Sequence, residues 1–158
     1  MAKLTPCLWF EHDAEAAANF YVSLFADSRV TRVMRSPAAT PAGEEGSVIV
    51  VEFTLLGQPH MALNGGTALP TSNRLSLSVD CADQAEVDRL WEALGDGGTP
   101  QACGWINDRW GHPWQIVPNA LPRLLADPDP DRARRAMQAM MTMVKIDIAA
   151  LEAAADGG

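Results

Sequence analysis

The stretch Cys103-Gly104-Trp105-Ile106-Asn107-Asp108-Arg109-Trp110-Gly111-His112-Pro113-Trp114-Gln115-Ile116-Val117-Pro118 decides how the rest of the chain is read. Trp105 and Ile106 begin a strand, Asn107 to Gly111 carry turn chemistry, and Trp114 to Val117 form the return strand of a β-hairpin. Three of the five tryptophans lie here, so the hairpin is expected to anchor much of the core. Gln115 breaks an otherwise apolar run, and a buried amide needs partners or must face a cavity. Asp108 and Arg109 beside the turn read as surface charge, and His12 and His112 as solvated histidines.

Upstream of the hairpin, Arg74 to Asp80 alternates, with Leu75, Leu77 and Val79 on one side and Arg74, Ser76 and Ser78 on the other. Asp83 caps a helix whose Val87, Leu90, Trp91 and Leu94 form its buried stripe before a stop at Gly95. Thr99 to Cys103 supplies a further strand. The same order occurs earlier in the chain. Leu4 to Phe10 is a strand, and Asp13 starts a helix running to about Ala26. Ser28–Arg35, Val48–Leu55 and Pro59–Leu63 are strands, with a loop over Ser36–Gly46.

Laid together, Asp13 falls on Asp83, Ala17 on Val87 and Leu24 on Leu94. His60-Met-Ala-Leu-Asn64 falls on Gln115-Ile-Val-Pro-Asn119. The expected fold class is therefore α+β. Two βαβββ modules, 1–66 and 67–119, together make one domain. A helical tail follows over 120–158, with helices at Arg132–Val144 and Ile146–Ala155 and a methionine-bearing stripe packed on the chain's own body.

The 158 residues are 47% hydrophobic and 20% charged, an ordinary globular profile. A net charge of -8 argues against a nucleic-acid surface, and no apolar run is long enough to span a bilayer. The N-terminus lacks a signal-peptide pattern. Cys7, Cys81 and Cys103 show no Cys-x-x-Cys spacing and read as small apolar fillers in a reducing, cytoplasmic setting.

Motifs over nearly the whole chain carry a resemblance: Leu4-Thr-Pro-Cys-Leu-Trp-Phe10, Asn19-Phe-Tyr21, Gln58-Pro-His-Met-Ala-Leu-Asn-Gly-Gly66, Cys103-Gly-Trp105, Gly111-His-Pro-Trp-Gln-Ile-Val-Pro118 and, in the tail, Asp127-Pro-Asp-Pro-Asp131, Met137-Gln-Ala-Met140 and Lys145-Ile-Asp-Ile148. With them the chain resembles the vicinal oxygen chelate, or glyoxalase/bleomycin-resistance, superfamily. It is most similar to the PhnB-like branch, often labelled 3-demethylubiquinone-9 3-methyltransferase. The resemblance implies that the two modules form a curved mixed sheet enclosing a cavity, and that the chain is a homodimer, in some members with modules exchanged. It also implies four ligand positions in metal-using members: Thr5 (or Pro6), His60, Arg74 and Gln115.

That set is poor for a divalent ion, because Thr5 is a weak donor and Arg74 a permanent cation. No resident metal or other cofactor is expected. Repeat placement and alternation put Cys7, Trp9, Ala62, Asn64, Ser76 and Ser78 on the side of those four. The candidate ligand-binding set is Thr5, Cys7, Trp9, His60, Asn64, Arg74, Ser76 and Gln115. It suits an anionic or carbonyl-bearing planar small molecule. If there is chemistry without a metal, His60 is the candidate base and Arg74 the oxyanion stabiliser.

The leading reading is a small-molecule binding protein, with catalysis left open. The alternatives are a metal-dependent lyase, isomerase or dioxygenase, and the methyltransferase that the label implies. Asn64-Gly-Gly66 runs into Thr-Ala-Leu-Pro and not into a helix, which disfavours a nucleoside cradle.

Overall fold

The computed structural model describes residues 1–158, which divide into two compact units, Met1–Pro70 and Thr71–Gly158. The fold is α+β. Its strands form two four-stranded mixed sheets, where the resemblance implied one curved sheet.

In the first unit, β1 (Cys7–Phe10) is followed by α1 (Ala14–Leu24), β2 (Arg29–Arg35), β3 (Val48–Leu55) and β4 (Gln58–Asn64). The sheet order is β1-β4-β3-β2, with β1 parallel to β4 and the other pairs antiparallel. Ala14, Ala17 and Ala18 are fully buried on α1, and their small side chains let the helix lie close to the sheet. Tyr21 then inserts between Phe10 and Phe53, with ring centroids 6.5 and 6.4 Å away. Aromatic pairs of this kind contribute about 0.5–1.5 kcal/mol beyond area burial.

The N-terminus of α1 is capped from outside its own sequence neighbourhood. The Asp13 side chain makes no capping bond. The Ala14 amide instead donates to Asn64 Oδ1 at 2.8 Å, and Asn64 Nδ2 donates to the Val48 carbonyl at 3.0 Å.

In the second unit, β5 (Leu77–Cys81) leads into α2 (Gln84–Gly95), β6 (Thr99–Pro100), β7 (Trp105–Asn107) and β8 (Pro113–Pro118), in sheet order β5-β8-β7-β6. Here the helix caps itself, the Glu86 amide donating to Asp83 Oδ1 at 2.9 Å. Val87, Leu90 and Leu94 are fully buried, as the three-and-four spacing predicts. Two strand expectations change. Arg74 to Ser76 precede β5 and lie in a turn and its exit, and the strand expected over Thr99 to Cys103 is only two residues long. Cys103 and Gly104 instead take positive φ values, 60° and 81°, and break the strand before β7.

The hairpin core also differs from expectation. Trp114 is 1% exposed and does anchor the core, whereas Trp105 and Trp110 are half-buried. Asp108 is not surface charge but a buried acceptor. Its Oδ1 takes the Trp110 and His112 amides, both at 3.0 Å, and its Oδ2 takes Trp114 Nε1 at 2.9 Å. One carboxylate therefore satisfies the donors of the turn and of the core indole together.

The tail contributes α3 (Ala120–Leu125), α4 (Pro130–Met140) and α5 (Ile148–Asp156), with Asp147 capping α5 through the Ala150 amide. Leu121, Leu124, Ala136, Ile146, Leu151 and Ala155 form a core of their own. The segment between α4 and α5 binds the hairpin entry: the Cys103 and Gly104 amides donate to the Met143 and Val144 carbonyls, both at 2.8 Å. Met137 and Met141 remain substantially exposed, so only part of the expected methionine stripe is packed.

The backbone ladders align the two modules without reference to side-chain identity. Phe10 pairs with Asn64 as Cys81 pairs with Pro118. The next amides close both ladders alike, Gly65 donating to the Phe10 carbonyl and Asn119 to the Cys81 carbonyl. Met61 therefore corresponds to Gln115, and His60 to Trp114. The sequence match between the two Asn-ending segments was displaced by one residue, and on a strand one residue reverses the face.

Candidate functional site

Each sheet has a face against its helix and a face away from it, and register sorts the candidate residues between them. In the first unit, Leu8 pairs with Ala62 and Phe53 with His60, on the side of α1. His60 is buried, stacks on Phe53 at 5.6 Å, and brings Nδ1 within 3.0 Å of the Gln58 carbonyl. A carbonyl only accepts, so the proton sits on Nδ1. Asn64 lies on the same side, with both ends of its amide engaged at the cap of α1. His60, Ala62 and Asn64 thus leave the group in which alternation had placed them.

Thr5, Cys7 and Trp9 fall on the opposite, open face of the first sheet, together with Met61, Leu63 and Glu52. Trp9 Nε1 donates to the Thr67 carbonyl at 2.8 Å, and its ring lies so close over Gly65 that a Cβ there would meet Cζ2 at 1.9 Å. Gly66, with φ +76°, approaches the Pro41 carbonyl oxygen in the same way, at 2.3 Å from where a Cβ would stand. Both glycines are explained by the chain's own packing. Burial raises the Cys7 thiol above its ordinary value, which works against a nucleophilic thiolate; the buried Cys81 thiol is pushed up to about 12, chiefly by desolvation.

The second sheet brings together two of the expected residues. Gln115 lies on the face away from α2, and its Nε2 donates to Ser76 Oγ at 2.9 Å. Gln115 pairs with Ser78 on one side and with Trp105 on the other. The Gln101 amide donates to the Trp105 carbonyl, extending the row to Gln101-Trp105-Gln115-Ser78. Arg74 is exposed in the turn before β5, its amide donating to Ser72 Oγ at 3.3 Å.

Sequence reading missed Asn73, Gln101, Trp105 and Asn107 as site residues. Asn73 Nδ2 donates to Gln101 Oε1 at 2.8 Å, and Gln101 Nε2 donates to Asn107 Oδ1 at 2.6 Å. Pairing Trp105 opposite Gln115 within the hairpin would have found the central pair.

The structure gives no fit to the metal centre that the resemblance implied. Arg74 remains a cation, Thr5 a weak donor, and His60 is turned towards α1 with Nδ1 engaged. No group of three or more His, Cys, Asp or Glu side chains could hold an ion. The chemistry that the open face of the second sheet offers is hydrogen bonding by amides and hydroxyls beside an indole.

Residues 2–117 match the family described as 3-demethylubiquinone-9 3-methyltransferase. A PhnB protein from Bacillus cereus is 33% identical, with a TM-score of 0.66 over 74% of this chain and 99% of that one. The chain belongs to this PhnB-like family. A protein of Pseudomonas aeruginosa shares the fold, with a TM-score of 0.61 at 20% identity over 75% of this chain and 98% of that one. No curated protein matches. The PhnB-like match ends before α3, so the three tail helices lie outside it. No helix is long and apolar enough to cross a membrane.

Proposed function

We propose that this PhnB-like protein binds a flat small molecule on the open face of its second sheet, without a resident metal. The observation that carries this reading is the pairing of Trp105 with Gln115. An indole provides a stacking surface, and the amide opposite is held by Ser76 with its Oε1 unengaged. His60 has no part in this site, because its ring belongs to the aromatic stack behind the other sheet. Catalysis is not assigned.

Thermal denaturation with a library of aromatic fragments tests the proposal. Ligands should raise Tm by mass action in the native protein and in His60→Phe, and lose that effect in Trp105→Ala and Gln115→Ala. Retention of the effect in both latter variants, or stoichiometric Zn, Ni, Mn or Fe by elemental analysis of the purified protein, would overturn it.

The methyl transfer in the family's name is the second reading. It would require a place for a nucleoside cofactor, and the pair Gly65-Gly66 is occupied by Trp9 and Pro41. Calorimetric titration with S-adenosylmethionine is expected to show no binding.

A further inference from the structure

The three linked amides have a direction. Gln101 Oε1 receives Asn73 Nδ2, so the Gln101 NH2 group is what remains for Asn107, and it donates to Asn107 Oδ1. Asn107 is then left with its own NH2 group as the free end of the chain. Turning Asn107 over by itself would set one NH2 group against another, and turning the whole chain over requires three amides to move together.

Asn107 and Gln115 are diagonal neighbours across β7 and β8, both on the face that carries Trp105. Diagonal neighbours stand about 7–8 Å apart at the backbone. A carboxamide with a hydrogen bond at each end spans about 8 Å.

We propose that Gln101 is a positioning residue that sets the ligand class of the site just described, on whose existence the inference rests. By fixing Asn107 it makes the face offer one donor, Asn107 Nδ2, and one acceptor, Gln115 Oε1, on either side of the indole. The ligand class that fits is an aromatic carboxamide, whose C=O and outward-pointing N–H reach partners on opposite sides. Molecules with only acceptors or only donors satisfy half of the pair.

Three neutral probes separate these cases at pH 7: benzamide (acceptor and donor), acetophenone (acceptor only) and aniline (donor only). Binding is followed through the Trp105 indole and Gln115 side-chain resonances. Benzamide is expected to bind the native protein about fivefold more tightly than either of the others, the scale of one unmatched hydrogen bond.

In Gln101→Glu the carboxylate can only accept, so Asn107 turns its NH2 inward and shows Oδ1. Benzamide should then weaken about fivefold and aniline should become the tightest of the three. Gln101→Met removes the link without adding charge, and should bring all three probes within about twofold; it also serves if the glutamate variant does not fold.

An unchanged preference in the variants overturns the proposal, as does a native protein that prefers acetophenone or aniline. Those outcomes leave the binding face intact. If no probe moves the Trp105 or Gln115 resonances, the binding site falls together with the inference.

Discussion

The two modules share a backbone plan and differ where it faces away from the helix. In the first sheet the middle row reads Arg32, Glu52, Met61 and Cys7; the corresponding row of the second reads Gln101, Trp105, Gln115 and Ser78. Behind the sheets the difference is slight. Leu8, Phe10, Phe53 and Ala62 are matched by Val79, Cys81, Ile106 and Ile116, all buried. A helix-covered face must exclude water in either copy, so it stays largely apolar, and the two polar side chains on it, His60 and Asn64, are held by hydrogen bonds. The open faces carry no such requirement, and there one module presents amides and an indole while the other presents a thioether, a thiol and the charged side chains of Arg32 and Glu52. Function is to be sought in the row that diverged.

The comparison can be attacked where the modules hold themselves together differently. The largest effect is expected at Asp108, which has no counterpart in the tight turn between β3 and β4. Asp108→Ala leaves the Trp114 indole and two turn amides without an acceptor, and should lower stability by about 3 kcal/mol in chemical denaturation. A loss under about 1 kcal/mol would mean that the turn is held by something else.

The caps come next. Asn64→Ala removes both the cap of α1 and the acceptance of Asn64 Nδ2 by Val48, and should cost about 2–3 kcal/mol. Asp83→Ala on α2, an exposed and purely local cap, should cost about 1 kcal/mol. Equal losses would deny that one helix is capped through tertiary structure and the other by its own sequence.

His60→Phe should change stability by less than about 1.5 kcal/mol, because a ring of similar volume replaces one already stacked on Phe53. A marked loss of ligand binding in that variant would return His60 to the site.

The smallest effect concerns acid. Asp127 is held below the usual carboxylate range, first by the Asp129 amide and then by Arg132, and Asp88 is likewise lowered, first by Lys145. A carboxyl lowered in the folded state stabilises it above its ordinary range and loses that contribution as pH falls through the lowered value. The tail contacts of the second unit should therefore loosen below about pH 4, seen as titration of the Asp127 and Asp88 carboxyl resonances at lower pH than in unfolded peptides.

The repeat and most of its elements could be read from the chain because apolar spacing follows directly from burial. Val87, Leu90 and Leu94 are one such stripe, and Val48–Leu55 is a strand with the bounds its pattern indicated. Faces were harder. Matching the segments that end in Asn64 and Asn119 joined two residues with different physical roles: Asn64 is buried and caps a helix 50 positions away, while Asn119 is exposed and precedes α3. Hydrogen-bond register depends on which backbone atoms meet, and identical letters do not report it. The sequence match also placed Arg74 opposite Thr5, two residues out of register, whereas the ladders place Ser76 there. The amide chain from Asn73 to Asn107 was invisible for a related reason, since residues 28 positions apart meet only after the sheet has formed.

The pair of backbone bonds from Cys103 and Gly104 to Met143 and Val144 gives the helical appendage leverage over the neighbouring indole. Trp105 begins its strand immediately after that seam. A substitution that pried the seam open, such as a bulky residue at Gly104, where a Cβ would stand 2.9 Å from Ile146, would be felt as a tilt of the recognition surface. Substitutions at residues 143–146 are thus a route to moving Trp105 without changing any residue of the sheet.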